Sequence, residues 1–343
     1  MTIEVPVLRL GLAGYTDAQQ KAAAEASTAA ATGRATWELG SFSEADAWWL
    51  DGSRTLLMQN EHLRVQPAVP TGRSVQIALA DVDRPVAFSK PVTAPNFKPA
   101  ITFELGDKAA GVRVLHQFCD GLQAMLSQFA LACSITEHQP TLAAGSWEVL
   151  RNSDLLAVVD LKLGAGILPG VTPKDFAEAS WCIRDRGAVV IPPGYSRISV
   201  SQLMWQYAQR TQRDLLPPHY RQQKLFFRRP PRLPQKQMRD AHLLLMRELV
   251  TQPGMSFEEL QHATGIADAP LGRFLSALYV VGSITANPKR ASDMGARLAH
   301  SRDSLMPSGQ SAFSLSTQEG VHPPLRRPNN DLTAPLPLLP DMN

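Results

Sequence analysis

The sequence predicts a mixed α/β chain: an N-terminal α/β domain of the doubly wound kind, an α+β middle unit, and a C-terminal module of three helices closed by a short strand. Three observations predict it. Apolar runs alternate with helical patterns over residues 7–59, as strands joined by crossover helices do. Apolar runs flanked by glycine and proline recur between 147 and 220. Three helical stretches with start and stop signals then follow one another between 238 and 282.

Val7–Ala13 is apolar enough for a buried strand, and Gly14-Tyr15-Thr16 turns into an alanine-rich helix from Asp17 to about Ala31, capped by Thr16 or Asp17. A second strand is expected over Ala35–Leu39. Ser43 is placed to cap a short helix through Trp48, Trp49 and Leu50, with Glu44 and Asp46 in its first turn. Further strands are expected at Thr55–Gln59, Ser74–Leu79 and Pro85–Ser89. The longest helical pattern runs from Ala109 to Cys133. Its apolar face of Val112, Leu115, Phe118, Leu122, Met125, Leu126 and Phe129 reads as core, with a groove-docking helix as the alternative. Residues 134–146 read as a linker.

In the middle unit, Leu155–Leu161 predicts a strand and Pro173 opens a short helix through Ala179. Ala188–Ile191 predicts another strand, and Ser199 precedes a helix with Val200, Leu203, Met204 and Tyr207 at core spacing. Gly164-x-Gly166 is read as a turn, because it lacks the third glycine and the Lys-Ser/Thr of a phosphate cradle.

A basic strip, Arg221–Arg239, leads into the C-terminal module. The first helix, Met238–Val250, is stopped by Gln252-Pro253-Gly254. Ser256-Phe257-Glu258-Glu259 is a capping box for the second, which ends at Gly265. The third takes Asp268 as its N-cap and Pro270 in its first turn, buries Leu271, Phe274, Leu275 and Leu278, and stops at Gly282. Ser283–Ala286 is the closing strand. Residues 301–343, rich in Ser, Pro, Asn and Gln, are expected to be disordered, with Pro335–Pro340 as a candidate extended docking peptide. The expected domains are therefore 1–135, 147–220, 221–300 and the tail 301–343.

Helix, short helix, glycine turn, helix and strand is the order of a winged helix, and residues 238–290 resemble that family. The resemblance implies a module that docks on DNA or on protein. Residues 5–130 resemble the receiver domain of response regulators, through the strand order and Lys90-Pro91 after the fifth strand. Where that family places an acidic pair this chain has Ala13, Gly14 and Tyr15. Where it places the phosphoryl-accepting aspartate the predicted strands put Gln59 and Asn60, so the resemblance implies a receiver-like fold without phosphotransfer.

Composition bounds the function classes. Among 343 residues the net charge is +3, so only local clustering argues for an anionic partner. Cys119, Cys133 and Cys182 are read as buried, reduced thiols. No signal-peptide pattern and no long apolar run is visible, which predicts a cytoplasmic chain without a membrane span. The eight histidines are scattered, and there is no His-Glu-x-x-His, Cys-x-x-Cys or nucleophile elbow. The expectation is a protein that is not an enzyme and uses no cofactor or metal.

The clearest binding signal is the strip itself. Arg221, Lys224, Arg228, Arg229, Arg232, Lys236 and Arg239 have no acidic residue between them and enclose Phe226 and Phe227. Such clustering attracts phosphates, of nucleic acid, of a nucleotide messenger such as a cyclic dinucleotide, or of anionic lipid. Its alternative is a linker kept soluble by charge. These observations lead to a bacterial-type signalling or regulatory adaptor that captures an anionic ligand or a protein partner. The second reading is a DNA-binding transcriptional regulator using Arg273, Lys289 and Arg290.

Overall fold

The computed structural model describes residues 4–59, 61–69, 72–92, 94, 97–138, 142, 145–160, 163–184, 190–234 and 237–291. Asn60, Lys236, Ala188 and Val189 of the expected strand Ala188–Ile191, most of the linker after 138, and the tail with Pro335–Pro340 lie outside the described residues; Val190 and Ile191 are described and are not strand. The chain is a mixed α/β protein with a parallel sheet and several helices. It forms two compact units, residues 1–215 with 232–239, and residues 216–231 with the segment from 240 onward.

The first unit begins with β1 (Val7–Ala13), α1 (Asp17–Ala29), β2 (Thr36–Gly40) and β3 (Ala47–Leu50). A meander of β4 (Thr55–Leu57), β5 (His62–Val65) and β6 (Val75–Ala78) follows, then β7 (Val86–Phe88). Strands β2-β1-β3-β7 form a parallel sheet in that order, and β4-β5-β6 a separate antiparallel one. Of the two expected caps, Thr16 and Asp17, Thr16 caps α1, in a capping box with Gln19.

The Trp48-Trp49 region is a correction. It is the third parallel strand, preceded only by a single 3-10 turn at Phe42–Glu44. All four β3 residues are buried, because the strand is covered on both faces. Ala47 and Trp49 point into a cluster with Leu8, Leu10, Ala23, Ala26, Leu115 and Phe118, and Trp48 and Leu50 into one with Leu63, Val65, Ile77 and Phe88. A strand buried on both sides shows no alternation, so its apolar run imitates a helix turn. Each of the larger side chains contributes about 1.5–3 kcal/mol of burial.

The long helical pattern is two helices, α2 (Lys108–Gly121) and α3 (Gln123–His138), broken at Gly121-Leu122. Leu115, Phe118 and Phe129 are buried, so the stripe is core. It serves two cores in succession: α2 packs beside α1, and α3 packs with the helices that follow. Strands β8 (Ser146–Arg151), β9 (Asp154–Asp160) and β10 (Gly164–Ile167) come next, then α4 (Pro173–Ala177), β11 (Ser180–Arg184), β12 (Ser196–Ile198) and α5 (Val200–Arg210). The antiparallel order is β11-β8-β9-β10-β12. Gly164-x-Gly166, expected as a turn, is therefore strand. Gly164 has φ +124°, and a Cβ there would meet the Ile198 carbonyl oxygen at 2.7 Å, so glycine is required by close strand packing.

Two ionic clusters tie this unit together. The Glu4 carboxylate accepts from Tyr207 Oη (3.0 Å), Thr211 Oγ1 and the Gln212 amide (3.1 Å), and Arg213 bridges it to Glu137 at 2.9 Å to each. Asp46 accepts from the Arg9 amide (2.9 Å) and from Arg210 Nη2 (2.6 Å), while Arg239 pairs with Glu44 at 2.9 Å.

The second unit contains α6 (Pro218–Gln222), β13 (Phe226–Phe227), α7 (Asp240–Thr251), α8 (Phe257–Thr264), α9 (Asp268–Val280) and β14 (Ile284–Thr285). Ser256 and Glu259 form the expected capping box, and Gly265 at φ +67° ends α8. The N-cap of α9 is Ala267, which makes no side-chain cap; Asp268, expected in that role, is the first helical residue. Leu245, Leu249, Leu260, Leu271, Leu275 and Leu278 form the buried face. Among the described residues no helix is long and apolar enough to cross a membrane.

Candidate functional site

The basic strip is divided between the two units. Arg221, Lys224, Arg228 and Arg229 belong to the second unit, Arg232 and Arg239 to the first. Several of these cations have internal work. Arg221 lies over the Phe257 ring (4.9 Å to its centroid) and 3.7 Å from Asp268, combining cation–π and ion-pair contact. Its guanidinium also fills the space beside Gly272, where a Cβ would meet Nη2 at 2.7 Å. Arg229 donates to the Val281 carbonyl at 3.5 Å. Arg239 is mostly buried: burial draws its guanidinium down to about 10, Glu44 opposes that shift, and Arg9 and Arg210 add to it. These contacts give Arg221 and Arg239 structural roles that their side-chain chemistry explains without a ligand.

Pairing of the strip with the end of the chain's described part creates a different cluster. Phe226 pairs with Thr285 and Phe227 with Ile284 in antiparallel sense, and on the other side Leu225 bridges to Met255. Arg228 continues the ladder, its amide donating to the Ser283 carbonyl at 2.8 Å. The antiparallel sense therefore brings Lys224 to the end where β14 runs out into Asn287-Pro288-Lys289-Arg290. Those residues form a 3-10 turn, fixed by the Asn287 side chain accepting from the Lys289 amide at 2.9 Å. Lys224, Lys289 and Arg290 are all exposed. Glu259 on α8 is the acidic neighbour of Lys224. The Ser256 amide holds its carboxyl below the usual range, with Lys224 contributing in the same direction. A basic corner of this kind suits an acidic segment or a phosphate group, because exposed cations keep most of their hydration until an anion displaces it.

The third helix offers less. Among the residues of α9, Asp268, Ala269, Pro270 and Arg273 are exposed, whereas Ser276, Ala277 and Leu278 are buried. The Ser276 hydroxyl donates to the Gly272 carbonyl within its own helix (2.8 Å). A helix that reads base edges needs several outward donors along one face. Arg273, Lys289 and Arg290 do not share an element: Arg273 is on α9, and the other two stand on the turn after β14.

The carboxyl ends of the parallel strands gather Tyr15 and Lys90, where the sequence placed them, with Asp51, which it did not single out. Asp51 directly follows β3 and Ser89-Lys90 directly follow β7. The position after the third parallel strand is thus held by Asp51, not by Gln59 and Asn60, because β3 is the tryptophan strand. Asp51 is buried, and its carboxylate accepts from the Ser53 amide (3.0 Å) and the Ser53 hydroxyl (2.6 Å), closing a 3-10 turn. The Tyr15 and Ser89 hydroxyls are buried nearby and make no hydrogen bond of good geometry. Burial holds the Tyr15 phenol far above its usual pKa; Ser89 beside it pulls the other way, and the Asp51 charge adds to the rise. A cleft of about 490 Å³ opens here, lined by Gln19, Ala22, Ser89, Lys90, Phe103 and Glu104. It stands beyond the carboxyl end of β7, the side of the sheet on which open α/β folds bind ligands. The signal available in the sequence was the Asp after an apolar run, hidden by reading that run as helix.

Cys119 and Cys133 are buried, as expected, but Cys182 is exposed on β11. Burial pushes the Cys119 thiol up, and it pushes the Cys133 thiol up to about 12. Among the described residues no group of three or more His, Cys, Asp or Glu side chains is placed to hold a metal ion. Comparison with protein-family models, curated proteins and solved structures finds no match to this chain.

Proposed function

We propose that this chain is a non-enzymatic signalling or regulatory adaptor whose second unit captures an acidic protein segment or a small anionic ligand at the Lys224, Lys289 and Arg290 corner. The observation that carries the reading is the antiparallel β13–β14 pairing, whose register sets exposed Lys224, just before β13, at the end where β14 leads into exposed Lys289 and Arg290. The parallel order β2-β1-β3-β7, with Lys90 after the last strand, supports a receiver-like assignment of the N-terminal part. The order α7, α8, α9, β14 supports a winged-helix assignment of the C-terminal module. In this reading Asp51 is a structural cap and the receiver-like part works without phosphotransfer. The DNA-binding alternative retains Lys289 and Arg290 but needs α9 as a reading helix, and its exposed residues carry one cation and one anion.

The test is a thermal-shift panel on the full chain with a cyclic dinucleotide, poly-L-glutamate and random duplex DNA. A ligand at one hundred times its dissociation constant stabilises the folded state by about 2.7 kcal/mol. At roughly 2–4 °C per kcal/mol for chains of this size, that is a rise of about 5–10 °C. The cyclic dinucleotide or poly-L-glutamate is expected to raise the melting temperature, and the Lys224→Glu/Lys289→Glu/Arg290→Glu variant is expected to lose that rise. No shift with any polyanion, or a shift indifferent to the three reversals, overturns the proposal.

A further inference from the structure

The outer edge of the five-stranded antiparallel sheet lies in the first unit, whereas the basic corner belongs to the second. Among the described residues strand β11 is an edge strand, paired with β8 through Trp181↔Val149, Cys182↔Glu148 and Ile183↔Trp147. Its outward main-chain groups form a template for another strand. Edge strands are normally blunted by lysine, proline, a bulge or extreme shortness. The opposite edge, β12, is three residues long and follows Pro192-Pro193. By contrast β11 is five residues, Ser-Trp-Cys-Ile-Arg, with neither lysine nor proline. Its register with β8 is regular; the irregularity in β8 falls on its pairing with β9.

The side chains on this edge are unusual for a solvated strand. Ile183 is 64% exposed and Cys182 is exposed. Trp181, on the same face as Ile183 by the two-residue repeat, is held in place: its indole donates to Ser134 Oγ at 3.3 Å and packs on His138 at 5.3 Å between centroids. The one charged residue, Arg184, is already matched by Glu148 at 3.2 Å on the neighbouring strand.

We propose that β11 pairs antiparallel with β11 of a second copy of this chain, about a twofold axis through Cys182. The strand is complementary to itself in that register. Trp181 falls opposite the copy's Ile183, and Ile183 opposite the copy's Trp181, giving two aromatic–β-branched cross-strand pairs. Ser180 and Arg184 face one another twice, so no like charges oppose. The exposed isoleucine is covered by a tryptophan that its own fold has already fixed in orientation, which lowers the entropy lost on pairing. An isologous contact closes at the dimer and does not propagate, so the edge is used up without fibre growth. Two five-stranded sheets become one continuous sheet, with Cys182 facing Cys182 across the axis.

The test is sedimentation equilibrium of the full chain under reducing conditions, with wild type and Ile183→Glu compared and far-UV circular dichroism confirming the fold of both. The wild type is expected to be a dimer, and the variant to raise the dimer dissociation constant by about tenfold or more. Copper–phenanthroline oxidation is expected to give a covalent dimer of the wild type that Cys182→Ser abolishes, while Cys182→Ser remains dimeric by sedimentation. A wild type that stays monomeric to about 100 µM overturns the proposal. So does a dimer indifferent to Ile183→Glu, and a dimer that Ile183→Glu breaks but that never cross-links at Cys182 overturns the register.

Discussion

Replacing Asp46 with alanine exposes what the first unit's arginine cluster contributes. The Asp46 side chain is 7% exposed and its partner Arg210 17%. Its Oδ1 accepts from Arg210 Nη2 (2.6 Å) and Nε (3.2 Å), and its Oδ2 from the main-chain amide of Arg9 (2.9 Å). Removal leaves a β1 amide without its acceptor and the Arg210 guanidinium without its counter-ion. It also leaves Arg9, Arg210 and Arg239 to repel one another, with Glu38 and Glu44 beside them as partial offset. Breaking a buried pair by deleting one partner costs about 3–5 kcal/mol. Arg210 keeps some solvent and the Gln206 carbonyl at 3.2 Å, which argues for the lower end, about 3 kcal/mol. For a chain of this length that is a fall in melting temperature of about 6–12 °C. All six tryptophans lie between residues 37 and 205, in the first unit, so intrinsic fluorescence during urea unfolding reports this unit alone. Adding Arg210→Met to Asp46→Ala should restore at least about 1 kcal/mol, since the two positions are directly coupled. A cost below about 1 kcal/mol for Asp46→Ala, or strict additivity in the double variant, refutes the argument.

Four further outcomes are expected. Gly52→Ala should destabilise the first unit by about 1–3 kcal/mol, because its Cβ would lie 1.8 Å from the Lys90 carbonyl oxygen. Gly33→Ala, with nothing within 4 Å, should be neutral or slightly stabilising in the same urea assay. Glu259, whose carboxyl is held low by the Ser256 amide, contributes stability that is complete above its unfolded-state pKa of about 4.3 and is lost as pH falls through the lower folded value. Acid unfolding of α8, followed by amide exchange, should therefore be less steep below about pH 4.3 in Glu259→Gln than in wild type. Acetyl phosphate with Mg²⁺ should leave Asp51 unmodified by mass spectrometry, because its carboxylate is buried and bound to Ser53; an aspartyl phosphate there would reverse the structural assignment.

Local chemistry was readable where one residue type settles a local geometry. Thr16, Ser199 and Ser256 each cap a helix from their expected positions, and Gly265 stops α8. Val7–Ala13 and most of Leu155–Leu161 are strands because a run of apolar residues of that length between turn signals has few other outcomes. What failed was pattern that depends on partners far along the chain. Trp48-Trp49 lost its alternation to burial on both faces, and Gly164-x-Gly166 lost its turn to a sheet that needed close approach at Ile198. Periodicity carried smoothly across Gly121-Leu122, although α2 and α3 serve different neighbours. The basic strip was legible as composition, but its division between two units was not. Its arginines are divided between two units, and the exposed corner depends on a two-residue strand, Phe226-Phe227, which is shorter than any pattern can register.

The most direct measurement of the central claim is the salt dependence of random duplex DNA binding by fluorescence anisotropy, for wild type and Arg273→Ala. Capture by three exposed cations releases at most about three counter-ions, so the log–log slope should be no steeper than about −3 and should not change in Arg273→Ala. A slope steeper than about −6 that falls by about 1 when Arg273 is removed would show α9 working on DNA and would contradict the account.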